Sequence, residues 1–256
     1  MQNGSSLPIS EKQSPATTET AFGILNINKP AGITSYDVVS RVKNIIGIKK
    51  VGHCGTLDPI AEGVLVILYG KATKLQSKFM GQDKVYTTSL VLGVTTDTYD
   101  ISGKNVNKRE VPELSRERIV ETLKGFTGKI IQTVPAYSAV KYGGKRLYSY
   151  ARAGIEVIRP KREVEINDIE LLGLETQGME IRVKCSCGTY IRSLVYDIGE
   201  KIGCGAAVRT LVREKSGLFE LVDTLNIYNI ERMPREEVLA TGLKNYEKFS
   251  GNDWNI

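Results

Sequence analysis

Residues 52–63 read GHCGTLDPIAEG and set one imidazole and two carboxylates, His53, Asp58 and Glu62, among three glycines. Glycine lets backbone approach a ligand closely. Pro59 biases Asp58 away from helical backbone and so fixes how its side chain projects. The apolar run VLVILYG follows at once. An acid held at the mouth of a buried strand is well placed for catalysis. Asp-Pro is also ordinary turn chemistry, and on spacing alone a turn is the simpler reading.

Other candidate groups are weaker on their own. His53 is the sole histidine. With no Ser or Cys nucleophile at a spacing that could pair with it, a hydrolytic triad has little support, and a hydrogen-bonded structural role is the simpler reading. Cys54 adjoins it, but neighbouring side chains usually point apart. Tyr86 lies within an alternating strand and reads as a core or half-buried aromatic. Tyr190 and Arg192 follow CSCGT at a strand-to-helix junction. Arg192 is either a surface cation or the partner that a buried acid would require. YGKAT at 69–73 ends like a phosphate-binding loop, but Leu65 stands where such a loop needs glycine, and Ala72 follows Lys71. Nucleotide binding is set aside.

The elements that must position these groups alternate irregularly. GILNIN (23–28) predicts a strand. TSYDVVSRVKNIIG predicts a helix capped by Thr34 or Ser35, with Val38, Val39, Val42, Ile45 and Ile46 on one face and Gly47 as its stop. VLVILYG and KVYTTSLVLG predict strands, and the short connection between them favours antiparallel pairing. A short helix is expected over 115–124, strands in REVEINDIELLGLE and MEIRVKCSCG, and an amphipathic helix in YIRSLVYDIGEKIG. The pattern indicates an α+β fold with a mixed sheet. Residues 126–154 carry Tyr137, Tyr142, Tyr148 and Tyr150 and read as an irregular insertion outside the core. A mixed polar segment follows about Asn226. The first 22 residues, rich in Ser, Thr, Gln and Pro, read as a disordered tail.

Composition narrows the function. The chain has 256 residues, 41% of them hydrophobic and 25% charged, as in a soluble globular protein. No apolar run is long enough to span a membrane, and the N-terminus resembles neither a signal nor a transit peptide. Four cysteines with one histidine suit free thiols in a reducing cytoplasm better than disulfides or a metal. Net charge is +6. Residues 129–162 hold eight Lys or Arg and only Glu156 as an acid. Cations interleaved with tyrosines suit phosphates and stacked bases, so this stretch is expected to bind RNA.

Several long motifs, in order, resemble the TruB-type tRNA pseudouridine synthases. GHCGTLDPIAEGVLVI is similar to their catalytic-loop motif, and KVYTTSLVLGVTTDTYDISG to their second. QTVPAYSAVKYGGKRLYSYARAG resembles their RNA-gripping insertion, and CSCGTYIRSLVYDIG the motif carrying a site arginine. LNINKPAGITSYDVV and VRTLVREKSGLF resemble the first and last blocks. Val134 stands where a proline is usual, and Glu62 where the family is often small or polar.

The resemblance implies the pseudouridine synthase fold, a long mixed, mainly antiparallel sheet with a central cleft, spanning 23–225. Residues 226–256 are too few for the complete PUA RNA-binding domain that many members carry. It implies isomerisation of the T-loop uridine at tRNA position 55 without cofactor or metal; a monomer is the default expectation. It implies Asp58 as catalytic carboxylate, Tyr86 against the target base and Arg192 paired with Asp58. Asp100 would join the arginine network. Tyr190 and Leu211 would line the pocket, His53 would stack on displaced nucleotides, and Lys29 would support the site. Lys141, Lys145, Arg146 and Arg152 would grip RNA. Two alternatives remain: a related synthase acting on another RNA with partner proteins, and an RNA-binding or RNA-folding protein without chemistry.

Overall fold

The computed structural model describes residues 21–250. The expected N-terminal tail lies outside the described residues except for its last two positions. Nine strands and four helices carry the fold: β1 (Gly23–Lys29), α1 (Ser35–Ile46), β2 (Val51–His53), β3 (Ala61–Tyr69), β4 (Lys84–Leu92), α2 (Arg116–Lys124), β5 (Gly128–Thr133), β6 (Lys161–Glu175), β7 (Gly178–Cys185), α3 (Ile191–Ile202), β8 (Ala206–Ser216), β9 (Leu225–Asn226) and α4 (Arg235–Ser250). One mixed sheet runs β9–β1–β3–β8–β4–β7–β6–β5. The β1–β9 and β3–β8 pairs are parallel and the other neighbours antiparallel. The fold is α+β.

Side-chain pattern explains the layers. β3 is apolar at nearly every position because both of its faces are covered. Leu65, Ile67 and Tyr69 face the main core, whereas Val64, Val66 and Leu68 join a smaller core with Phe79 and Phe219. β4 has one buried face, and it carries Lys84, Tyr86, Thr88, Leu90 and Leu92. α1 starts in a capping box between Thr34 and Asp37 and stops at Gly47, whose φ is +66°. Ser35 is thus free of capping and serves the catalytic-loop candidate instead.

Three sequence expectations need correction. β3 and β4 run antiparallel but are not neighbours, because β8 from the C-terminal half inserts between them. A short loop normally pairs consecutive strands, but here residues 70–80 form a 3-10 turn and a short helix that carry the chain past the gap. The stretch 126–154 is not wholly an insertion outside the core: β5 is the edge strand beside β6, and Gln132, Val134 and Leu147 are buried. The irregular part begins after Thr133 and holds the ribbon Lys141–Tyr142 with Lys145–Arg146 and the helix Leu147–Arg152. Finally, the segment after Asn226 is more structured than its polarity suggests. α4 lies across β1, with Tyr69 Oη donating to Leu239 O at 3.0 Å and Asn245 Nδ2 to Ile24 O at 3.1 Å.

β8 pairs with β3 only at the start of β3, where Leu211, Val212 and Arg213 face Ala61, Glu62 and Gly63. Gly63 has φ +103°, and a Cβ there would stand 2.3 Å from Arg213 O. Both the backbone conformation and the strand approach require glycine. Gly63→Ala is therefore expected to lose about 2–4 kcal/mol in urea denaturation. An unchanged midpoint would show that the β3–β8 approach can relax.

Candidate active site

The loop between β2 and β3 is held from four sides. Ser35 Oγ accepts from Leu57 N at 2.8 Å and donates to Leu57 O at 3.1 Å. Gly32 N donates to Pro59 O, Cys54 N to Val66 O, and Gln76 Nε2 to His53 O. These bonds satisfy loop backbone that would otherwise be buried unpaired. Asp58 is left as a partly exposed carboxylate at the loop's end, its side chain 32% accessible.

Arg192 meets it from the first turn of α3. Arg192 Nε donates to Asp58 Oδ2 at 2.8 Å and Nη2 to Oδ1 at 2.9 Å, a two-pronged pairing of planar groups. The guanidinium also donates to Thr98 O at 2.6 Å and Tyr137 O at 3.0 Å. Asp100 Oδ2 stands 3.8 Å from Nη1. Arg192 is only 3% accessible, so its charge is compensated almost wholly by protein.

The 97–102 turn delivers two of those partners. Tyr99 has φ +65°, unusual for a non-glycine residue. It is fixed by stacking on Tyr196 with ring centroids 4.2 Å apart, by Arg159 Nη1 donating to its hydroxyl, and by Val208 N donating to its carbonyl. The reversal places Thr98 O and the Asp100 carboxylate on the same guanidinium. Asp100 Oδ1 in turn accepts from Thr98 Oγ1, Ser102 N and Ser102 Oγ.

Asp58 stands between two hollows. One is a cavity of about 240 Å³ whose walls include Tyr86, Tyr190, Leu211 and Arg213. That is the room of about eight waters at ~30 Å³ each, suited to one small heterocycle. The other is a wider cleft of about 710 Å³ lined by His53, Arg146, Tyr148 and Arg152. Burial raises the Tyr86 and Tyr190 phenols, while Arg213 opposes the shift at Tyr86. Burial, reinforced by Arg213, lowers His53.

Lys29 is buried beneath the site, donating to Pro30 O and Ile33 O at 2.8 Å each. Burial lowers its pKa to about 8, against the pull of Asp58 and Glu62. Glu62 is exposed and lines neither hollow. Lys141 and Lys145 lie on the exposed ribbon, away from both.

Sequence reading missed four groups. Arg213 and Lys84, both buried, line the smaller cavity. A lysine and an arginine in strands buried on one face are the signals that could have drawn notice. Ser35 fixes the loop, although its spacing suggested only a cap. Exposed Lys49, Lys50, Lys71, Lys74 and Lys78 make a second basic region, brought together where Gly70 N donates to Lys50 O.

Two stability outcomes follow. Arg192→Leu leaves Asp58, Asp100 and two carbonyls without their donor and should cost about 3–5 kcal/mol. Asp58→Asn should cost about 1 kcal/mol or less, since Asp58 is partly solvated and Arg192 keeps its other partners. Equal losses in urea denaturation would contradict this asymmetry. For Lys29, the folded value near 8 lies below the unfolded 10.5. The unfolded chain then binds more protons between those values, so stability attributable to Lys29 rises with pH from 8 to 10.5 and its cost is fully present below 8. The rise is about 3 kcal/mol at most. It should be present in the wild type and absent from Lys29→Met when denaturation is compared at pH 7.5 and 10.

The described helices include none long and apolar enough to cross a membrane. The family model for the N-terminal domain of TruB family pseudouridylate synthases matches residues 43–191. A tRNA pseudouridine synthase B of Endomicrobium trichonymphae is 47% identical over 203 residues, which cover 79% of this chain and 88% of the relative. One from Heliobacterium modesticaldum is 48% identical over 222 residues, covering 86% and 72%. Among solved structures, a chain from a Cbf5-Nop10-Gar1 complex aligns with a TM-score of 0.66 at 29% identity. One from an H/ACA RNP bound to a substrate RNA containing 2'-deoxyuridine aligns at 0.62 and 27%. These alignments cover 93% and 92% of this chain but only 58% and 56% of those chains. Motif order, fold and these relatives agree: the chain belongs to the TruB family of pseudouridine synthases.

Proposed function

We propose that this enzyme converts the T-loop uridine at tRNA position 55 to pseudouridine, with Asp58 as the catalytic carboxylate. The observation that carries the reading is the partly exposed Asp58 carboxylate, clamped by buried Arg192 at the mouth of a cavity sized for one base. The naming of the relatives supports tRNA as the substrate.

The reaction breaks N1–C1′, turns the base and joins C5 to C1′. No electrons enter and no group comes from outside. An ionised carboxylate can attack carbon or stabilise positive charge developing at C1′. Arg192 holds Asp58 in one orientation, and Asp100 helps hold Arg192. Tyr86 lies against the displaced base, with Tyr190 and Leu211 as further walls. The base must leave its stack to enter. His53 in the wider cleft offers a surface for neighbouring displaced nucleotides, and Lys29 supports the loop field from below. Lys141, Lys145, Arg146 and Arg152 hold phosphates on one side, and the lysines of 49–50 and 71–78 on the other. The enzyme acts as a cytoplasmic monomer on naked tRNA. The higher identity to the synthase B relatives than to the Cbf5 chain favours this over action within a partner-dependent complex.

Release of tritium from C5-labelled uridine in an unmodified tRNA transcript tests the assignment. The purified chain alone should release one equivalent, and changing position 55 to cytidine should abolish it. Release that persists after that change would place the target elsewhere, and release only with added proteins would favour the partner-dependent reading. Arg146→Glu and Arg152→Glu should weaken tRNA binding and lower the salt slope by about 1 for each phosphate no longer neutralised, with little change in saturated turnover. An unchanged slope would remove these arginines from the RNA interface.

A further inference from the structure

The small cavity is electrically two-sided. Asp58 contributes the carboxylate, held by Arg192 behind it. Across Tyr86 stand two buried cations, Arg213 and Lys84, 1% and 5% accessible. Arg213 has no carboxylate partner among the described ion pairs. Its Nε donates to Val64 O at 2.7 Å and its Nη2 to Gly55 O at 3.1 Å. Two neutral carbonyls orient the guanidinium without cancelling its charge, and arginine does not deprotonate in proteins. The remaining hydrogen bond of Arg213 is to the side chain of Tyr86, which lines the cavity, so a third neutral group orients the guanidinium toward that wall. Lys84 Nζ donates to Met80 O at 2.5 Å and to Gln82 O, again with carbonyl partners only. Burial does most to lower Lys29, His53 and Lys84, and the positive field of Arg213 adds to it; the same field opposes the burial-driven rise at Tyr86.

We propose that Arg213, seconded by Lys84, forms the anion-stabilising wall for the departing base. The inference rests on the isomerase reading and adds a residue to it. When N1–C1′ breaks, both bonding electrons go to the base, which becomes an anion delocalised over N1 and the carbonyl oxygens. Positive charge at C1′ faces Asp58, and negative charge on the base faces Arg213. C5 then attacks C1′, the C5 proton leaves to water, and N1 regains a proton, so atoms and charge balance. A cation already fixed in orientation needs no reorganisation as that charge appears. The close β3–β8 approach at Gly63 and the bonds to Gly55 and Val64 hold Arg213 in place for this role.

The test compares uridine with 5-fluorouridine at the target position. Fluorine draws electrons from the ring and makes the base a better leaving group, so its departure needs less help. Turnover is read as tritium release for uridine; 5-fluorouridine has no C5 proton to lose and takes up water at C6 after the new bond forms, so its turnover is read as the rearranged, hydrated fluorinated nucleoside after nuclease digestion. Arg213→Met should slow uridine by about 100-fold or more, the scale of losing one preorganised donor, and 5-fluorouridine by clearly less. Equal slowing of both would overturn the proposal and leave Arg213 a structural residue. Arg213→Lys keeps the charge and the fold more readily, and should hold uridine turnover within about tenfold of wild type. A loss as large as that expected for Met, with native circular dichroism, would also overturn it. Wild type that releases no tritium from any tRNA would instead sink the isomerase reading beneath it.

Discussion

Arg192 is an almost fully buried charge, and nearly everything around the site exists to satisfy it. Burying an unpaired guanidinium would cost several kcal/mol, so the chain must bring partners from distant segments. It draws a carboxylate from the β2–β3 loop, a carbonyl and a second carboxylate from the 97–102 turn, and another carbonyl from Tyr137. Each of those segments is fixed in turn. Ser35 staples the loop to α1, and the Tyr99–Tyr196 stack holds an otherwise unfavourable backbone conformation. Asp58 thereby acquires one orientation without becoming buried. A carboxylate that is rigid and still reachable is what attack on, or charge stabilisation at, a sugar carbon requires.

The sheet supplies the rest. Because β8 threads between β3 and β4, Leu211 and Arg213 are delivered beside Tyr86, and the cavity is walled by strands from both halves of the chain. Walls built on paired strands hold their side chains more precisely than loops would. The cations proposed to hold RNA sit on less constrained ground, the ribbon and short helix after Thr133. That division matches the chemistry proposed: phosphate contacts tolerate adjustment, and bond rearrangement at one carbon does not.

Much of this was legible from residue patterns. Alternation over 84–92, the Thr34 to Gly47 helix boundaries and the acid-poor stretch 129–162 all report local physics. Spacing alone favoured an Asp-Pro turn over a site at Asp58, and left Arg192 undecided between surface and partner. Their meeting spans 134 residues, and no local periodicity encodes it. Only the order of several long motifs pointed to it beforehand. Strand order was misjudged for the same reason, since the insertion of β8 depends on complementarity at Gly63, not on loop length. Arg213 and Lys84 escaped notice because a basic residue on a strand looks like solvent-facing alternation until the sheet is assembled. α4 was missed because its residues make a weakly amphipathic helix whose face is defined by β1, with Gly242 lying flush against Tyr69.

The central claim is that Asp58 acts on the substrate and does not merely hold the site together. Single-turnover isomerisation and equilibrium tRNA binding, measured side by side for wild type and Asp58→Asn, address it most directly. The account predicts a dissociation constant within about threefold of wild type and a rate constant reduced by at least about 10⁴-fold. A rate constant within tenfold of wild type, with binding intact, would contradict it.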